Sequence, residues 1–427
     1  MTLNKKVTIS AMAAVLTLAF AFLFVTDAVY GQQAARVTVA TLENVRAYAP
    51  AVTPTGNSFV VDQGLLYMGQ PGVWQLVNTP DNLIINAVAV DSNRPEIVVI
   101  GAGDRSLLYI SRDGGASWQE VPLESETPSG ITALAIDSAN RLIYAGSFTN
   151  GVYRLRDVGS SVIAAGHLLL DEPVVQIVAD GSGSGMAFVR TKWSLYRAEE
   201  LGLAWVSVEN LPSPATAIAI GGTPSTIYVG TANTGLVKST DGIVWQPANE
   251  GLGYTPGSQL YVSALATDPL QPNVLYAATN LIFGSANAHI TPVALAISTD
   301  AATSWQPRGG ELDVVLTELL PIAGRTGAVY GLSERSRTPV ALGDTQSSLV
   351  VQPALEPVAP MTTDSMELVK LIAWIIAGLS TTALTLLVAY DVYQDMRKQK
   401  EEETRLATGY LPYPRSREWR ERGFYRS

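Results

Sequence analysis

Three segments of this chain set a serine two residues before an aspartate and a tryptophan a few residues beyond it. They are Ser111-Arg112-Asp113-Gly114-Gly115-Ala116-Ser117-Trp118, the shorter Ser239-Thr240-Asp241-Gly242-Ile243-Val244-Trp245, and Ser298-Thr299-Asp300-Ala301-Ala302-Thr303-Ser304-Trp305. A carboxylate beside a hydroxyl could serve acid–base chemistry or hold calcium. One carboxylate per segment falls short of the roughly six oxygens that calcium takes. A structural duty fits better: Ser111 and Asp113 can accept hydrogen bonds from amides of a tight turn, and Gly115 can adopt the positive φ that such turns need. Trp118, Trp245 and Trp305 are then expected to bury an indole against the next repeat, worth roughly 2 kcal/mol or more each. No catalytic residue and no metal site follow from these segments.

Each segment comes after a short apolar strand and before another, so it marks a hairpin in a repeating unit. Aligning the hairpins brings alternating strands into register at Ile84 to Val90, Ile131 to Ile136, Val174 to Val178, Ala215 to Ile220, Val262 to Ala266 and Leu316 to Ile322. Second strands follow at Ile97 to Gly101, Leu142 to Gly146, Gly185 to Val189, Ile227 to Gly230, Val274 to Ala278 and Gly327 to Leu332, several of them reading Tyr-x-Gly. An N-terminal stretch, Ser58 to Val61, Gly64 to Met68 and Val73 to Val77, supplies what look like the last three strands of one more unit. Units of about 40 residues with four short strands and no helical periodicity predict an all-β fold, a β-propeller of seven four-stranded blades. Six blades is the alternative, if the N-terminal strands complete the unit of Leu316 to Val351.

The turn segments resemble the Asp-box, or bacterial neuraminidase repeat, propellers, with eroded copies at Trp74 and Trp205. That superfamily holds sialidases, xyloglucanases, sortilin-type receptors and photosystem II assembly propellers. The resemblance implies the fold and leaves the activity open. A sialidase would need an arginine cluster, a tyrosine nucleophile with a glutamate and an aspartate acid, and no Arg-Ile-Pro type motif lies near the first blade. The photosystem II assembly propellers carry an arginine-rich patch for their client, whereas basic residues here look scattered, with Arg154 and Arg156 the one close pair on a strand.

The acids Asp91, Asp137, Asp180 and Asp268 follow first strands at equivalent places, which turn formation alone would produce. Two histidines, His167 and His289, leave imidazole catalysis and histidine metal sites poorly supplied. His289 lies in an insertion of residues 280–291 between the second and third strands of its blade, with the apolar run Leu281-Ile282-Phe283-Gly284. In a propeller that connection opens on the face opposite the Asp turns, so Leu281, Ile282, Phe283 and His289 form a candidate partner-contact loop.

Two apolar stretches, Val7 to Val25 and Leu371 to Tyr390, are each near the 20 or so residues that cross a bilayer. Lys5 and Lys6 precede the first and Ala28-Val29-Tyr30-Gly31 follows it, so residues 1–31 read as a signal peptide or a retained anchor. Arg397, Lys398, Lys400 and Arg405 beyond the second place the tail in the cytoplasm. The expected order is thus 1–31 leader or anchor, 32–355 propeller, 356–366 stalk, 367–390 membrane span and 391–427 cytoplasmic tail, with the propeller at the cell membrane on the extracytoplasmic side. No cysteine occurs, so the exported part holds by packing rather than disulfides. Residues 32–366 carry 16 basic against 29 acidic side chains, a net near −13, which disfavours a nucleic-acid partner. The sequence therefore predicts a non-catalytic interaction or scaffold module, an accessory or assembly subunit of a membrane complex without cofactor. The alternative is an anchored glycan-binding protein or glycoside hydrolase.

Overall fold

The computed structural model describes residues 42–253, 255–284, 288–343, 389, 390, 392–405, 407 and 409. The expected leader at 1–31, the stalk at 356–366 and the apolar span up to residue 388 lie outside them. Among the described residues no helix is long and apolar enough to cross a membrane. The described residues between 389 and 405 are helical, with Tyr390, Val392, Tyr393 and Met396 exposed, and belong to a unit separate from the propeller.

Seven antiparallel sheets follow one another along the chain, six with four described strands and the last with three. Their first, inner strands are Val45–Ala49, Ile85–Val90, Ile131–Asp137, Val174–Ala179, Ala215–Gly221, Ser258–Thr267 and Leu316–Pro321. Blade 1 is complete in itself: Val45–Ala49 pairs with Ser58–Asp62 and supplies the inner strand that the sequence reading omitted. The six-blade alternative is thereby overturned, because the N-terminal strands form their own sheet rather than finishing blade 7.

Every inner strand carries the same irregularity. One extra residue is inserted against the second strand, at Arg46, Asn86, Thr132, Val175, Thr216, Ser263 and Thr317. A bulge leaves the carbonyl before it without its ladder partner and bends the strand. The neighbouring blade supplies the missing donor. Asn86 Nδ2 donates to Ile131 O at 2.9 Å, Thr132 Oγ1 to Val174 O at 2.6 Å and Thr216 Oγ1 to Val262 O at 2.5 Å. In blade 4 the bulged residue is valine, which cannot donate, and Gln176 beside it bonds instead to Ile218 O at 2.9 Å. These contacts form a belt of side-chain to backbone bonds around the axis, joining each of these blades to the one after it.

The Tyr-x-Gly pattern has its cause at the same level. A Cβ on Gly101, Gly146 or Gly230 would stand 2.5, 2.4 or 2.9 Å from a side-chain carbon of Ile131, Val174 or Val262 on the next blade. Glycine is what lets these blades close up near the axis, where the wedge between them is narrowest.

At the rim the indoles point backward. Trp118 of blade 2 donates Nε1 to Asn78 O at 2.9 Å, just beyond blade 1, and Trp305 of blade 6 to Ala248 O at 2.9 Å, just beyond blade 5. Trp205 of blade 4 meets Tyr144 of blade 3 edge-on at 5.7 Å, and Trp245 of blade 5 packs with Phe188 and Leu195 of blade 4. The sequence expectation that each indole packs on the next blade is therefore corrected: it packs on the preceding one. The reason is chain geometry, since the turn that holds the indole leans over the outer strand already laid down.

Ring closure follows the same rule. Trp74 of blade 1 packs with Leu320 and Leu332 of blade 7. Arg337 Nε donates to Val45 O at 2.6 Å, and Tyr48 Oη to Pro321 O at 2.9 Å. Burial raises the Tyr48 phenol to about 12, so it stays a neutral donor. Among the described residues no strand is shared between the first and last blades.

Trp305 is 3% exposed, whereas Trp118 is half-buried. Trp305→Ala should cost about 3–5 kcal/mol of unfolding free energy in equilibrium urea titration, and Trp118→Ala clearly less. Equal losses would show that indole burial against the preceding blade is not what secures the rim.

Candidate functional site

The two faces of the ring differ in kind. One carries the Asp turns and the turns between first and second strands. There Ser111 Oγ accepts from Gly115 N at 2.7 Å and Asp113 Oδ1 from Ser117 N at 2.8 Å. Asp241 Oδ1 accepts from the amides of Ile243 and Val244, and Asp300 Oδ1 from those of Thr303 and Ser304. Ser239 and Ser298 accept from the amides of Gly242 and Ala302. In the third turn Ala301 and Ala302 both hold a φ of 56°, and Lys238 of the preceding blade caps their carbonyls at 3.0 and 3.2 Å. Asp91, Asp137, Asp180 and Asp268 likewise accept amides two or three residues ahead. All seven carboxylates are committed to backbone. Among the described residues no group of three or more acids and histidines is placed to hold a metal.

The opposite, upper face carries the links between blades and between second and third strands. Here the insertion expected as a loop is instead a tall hairpin. Leu275–Phe283 and His289–Ser298 pair as far as Phe283 opposite His289, and Ser258–Thr267 extends alongside up to Ser258 opposite Phe283. Leu281, Ile282 and Phe283 therefore alternate across a strand rather than forming one apolar loop surface. Leu281 packs against the core between blades 5 and 6, while Phe283, His289 and Ile290 are exposed. Leu281 and Phe283 share one side of the strand, the first half-buried against the core and the second exposed nearer the tip, with Ile282 half-buried on the other side.

A second apolar group on this face was not anticipated. Phe148 (58% exposed), Leu169 (69%) and Trp193 (72%) occupy the links around blades 3 and 4, with Val175 at the channel mouth beside them. Lys192 Nζ lies 4.7 Å from the Trp193 ring centroid. His167 is not a surface group in search of a role: its ring stacks on Tyr153 at 4.4 Å, and Nε2 lies 2.5 Å from Asn150 O. In sequence these four residues lie in separate links and a strand, and the ring places them on one face.

The inner strands enclose an axial channel of about 770 Å³. Its charged lining is Arg46, Arg190, Glu318 and Arg337, from blades 1, 4 and 7. Residues that look scattered in sequence thus converge on one lumen. Arg154, by contrast, is buried and donates to Leu201 O and Ala165 O, a structural use, while Arg156 on the same strand is exposed. Glu318 pairs with Arg337 at 2.8 Å; burial raises its carboxyl, and the guanidinium offsets this only in part. Hydrolysis by paired carboxylates needs two acids about 5–10 Å apart across a sugar. Among the described residues the channel lining holds one.

No protein-family model matches this chain, and no curated protein does. Solved structures do. A xyloglucanase of glycoside hydrolase family 74 from Xanthomonas campestris superposes with a TM-score of 0.51 at 20% identity, over 71% of this chain and 52% of the enzyme. The chain thus spans about half of that enzyme's length. YCF48 bound to a D1 peptide gives a TM-score of 0.49 at 15% identity, covering 72% of this chain and 95% of that one. U3-55K gives 0.49 at 10% identity, over 72% and 97%. At such identities the likeness to the xyloglucanase shows the propeller fold.

The Asp turns leave a signature in acid. Hydrogen bonds from the Ser117 hydroxyl, the Ser117 amide and Ser111 hold Asp113 at about 2, and the amides of Val244 and Ile243 hold Asp241 at about 2. At Asp300 burial pushes upward but the Ser304 hydroxyl and amide outweigh it, again giving about 2. A carboxyl whose pKa is lower folded than unfolded stabilises the fold fully above the unfolded value, and that contribution is lost as pH falls toward the folded value. Asp113→Asn should therefore be less stable than the parent at pH 6, with the gap closing between about pH 4 and pH 2 in urea unfolding. A gap independent of pH would remove the charge from the account of the turn.

Proposed function

We propose that this chain is an Asp-box propeller, anchored in the cell membrane with its ring on the extracytoplasmic side, that works as a non-catalytic scaffold or assembly subunit of a membrane complex. The observation carrying the proposal is the apolar sector of the upper face, Phe148, Leu169, Val175 and Trp193. Large apolar side chains gathered on one exposed face mark contact with another protein, and aromatic anchors dominate such contacts. The Phe283–His289 hairpin rises from the same face and offers a second foothold. Its occupant is an extracytoplasmic segment of a membrane protein, which the expected stalk and span hold within reach. Among the described residues the Asp-turn carboxylates accept from backbone amides and the one acid lining the channel is paired, which supports the non-catalytic reading.

A second reading rests on Trp193. Its indole, open to solvent and flanked by Lys192, is also the kind of surface on which a sugar ring stacks. One experiment separates the two. The full chain, carrying a photo-crosslinking residue at position 193, is expressed in its host and its complexes are resolved by native electrophoresis. The scaffold reading expects one discrete adduct and migration well above the 45.4 kDa of the chain. Phe148→Asp and Trp193→Asp should dissolve the complex, while Val244→Asp on the opposite face should not. Migration as a lone chain, or retardation by an embedded β-glucan that Trp193→Asp abolishes, would favour the glycan reading instead.

A further inference from the structure

The repeat is broken in blade 4 at two positions that face each other. The residue after the bulge is alanine in blades 1, 2, 3, 5 and 6, at Ala47, Ala87, Ala133, Ala217 and Ala264. Its partner on the second strand is Gly101, Gly146 and Gly230 in blades 2, 3 and 5, Ala278 in blade 6 and Val61 in blade 1, while blade 7 departs with Glu318 opposite Leu332. In blade 4 the pair is Gln176 opposite Arg190. The glycines are small because Ile131, Val174 and Val262 of the following blades crowd them. Opposite blade 4, the residue at that place is Ala215. A large cation has replaced the smallest residue where the next blade has withdrawn its side chain.

Nothing in the fold consumes that cation. Arg190 Nε has one long hydrogen bond, 3.4 Å to Gln176 Oε1. Gln176 is itself clamped to blade 5, taking Ile218 N at 3.2 Å and giving Nε2 to Ile218 O at 2.9 Å. Among the described residues no carboxylate pairs with Arg190 and no acceptor meets its terminal nitrogens. Several other guanidinium groups are used: Arg94 and Arg112 pair with Asp157, Arg197 with Glu199, and Arg337 with Glu318, whereas Arg46 lines the same channel but is exposed. Partial burial in the channel wall lowers Arg190 to about 10. Tyr261 of blade 6 lines the same channel, feels the Arg190 charge, and its hydroxyl has no partner among the described residues. A guanidinium that departs from the repeat, borders the lumen and has no anion leaves its planar fork free for a ligand.

We infer that the upper mouth of the axial channel binds a small organic carboxylate, its carboxyl group on the terminal nitrogens of Arg190 and the Tyr261 hydroxyl. A guanidinium fork matches the two oxygens of a carboxylate. Val175, Ala217, Ala219 and Ala264 in the wall give apolar surface for a short hydrocarbon body, among polar residues such as Thr132, Thr216 and Ser263. The lining carries Glu318 as well as its arginines, which disfavours a dianion. A volume of about 770 Å³ is in the range of small-molecule sites, roughly 300–1,000 Å³.

The test uses the full chain, with butyrate, its neutral isostere butyramide and inorganic phosphate as probes, read by ligand-observed NMR and by shift of the melting temperature. Butyrate should bind saturably and raise the melting temperature; butyramide and phosphate should do neither. Arg190→Gln should weaken butyrate by about tenfold or more, the weight of one charge-assisted pair. It should fold at least as stably as the parent, because no acid loses a partner. Arg190→Lys and Tyr261→Phe should bind with intermediate affinity, and the exposed Arg105→Gln should bind as the parent does. Absence of saturable butyrate binding, equal binding of butyramide, or parental affinity in Arg190→Gln would overturn the inference. Should Arg190→Gln fail to fold, parental affinity in both Arg190→Lys and Tyr261→Phe would overturn it equally.

Discussion

The constraint on which this ring depends is the bulge in each inner strand. A four-stranded sheet this small cannot stand alone, and stacking seven of them requires neighbours to be joined near the axis, where side chains have least room. The bulge meets that need with one inserted residue. It frees a carbonyl, and the bulged residue of the blade before it, Asn86, Thr132 or Thr216, donates to the carbonyl at Ile131, Val174 or Val262. Each such bond is worth only about 0.5–1.5 kcal/mol, but an unmet buried carbonyl would cost as much or more. Around it the glycines of the second strands and the alanines of the inner strands make the close approach sterically allowed. At the rim, where blades diverge, indoles fill the wedge instead. The blade 7 to blade 1 junction uses both devices, with Arg337 at the axis and Trp74 at the rim.

The same logic explains what the sequence could and could not tell. The Ser-x-Asp turns and their tryptophans are local, so their spacing was legible and so was the number of blades they imply. The direction in which each indole packs is a property of neighbouring blades and was misjudged. The inner strand of blade 1 is hard to see in sequence because it has five residues, whereas those of the other blades have six to ten. The run at Leu281–Phe283 reads as a loop because strands that rise clear of a blade lose burial toward their tip, and three residues are too few to show alternation. The polar residues heading apolar strands were visible in sequence, yet their partners lie on another blade. Arg190 was the least legible of all: its meaning comes from the glycine that other blades place at the same register.

Repetition also sorts structural from functional residues without any alignment of relatives. Where every blade repeats a residue type, as at the Asp turns, the residue serves the repeat. Where one blade departs, the departure is free to serve something else. By that criterion the upper face has two zones of different chemistry: an apolar sector over blades 3 and 4, and a polar lumen into which blade 4 sets Arg190. The two zones adjoin at Val175, so a partner seated on the sector would lie over the channel mouth.

The central claim is that blades are coupled through the bulge belt, and Thr132→Val tests it most directly because it removes the donor to Val174 O with little change of shape. Native-state hydrogen exchange on that variant should show faster exchange at inner-strand amides of both blade 3 and blade 4, as expected when a junction opens as a unit. Loss of protection confined to the strand that carries residue 132, or no loss at all, would contradict the belt as the element that holds the ring.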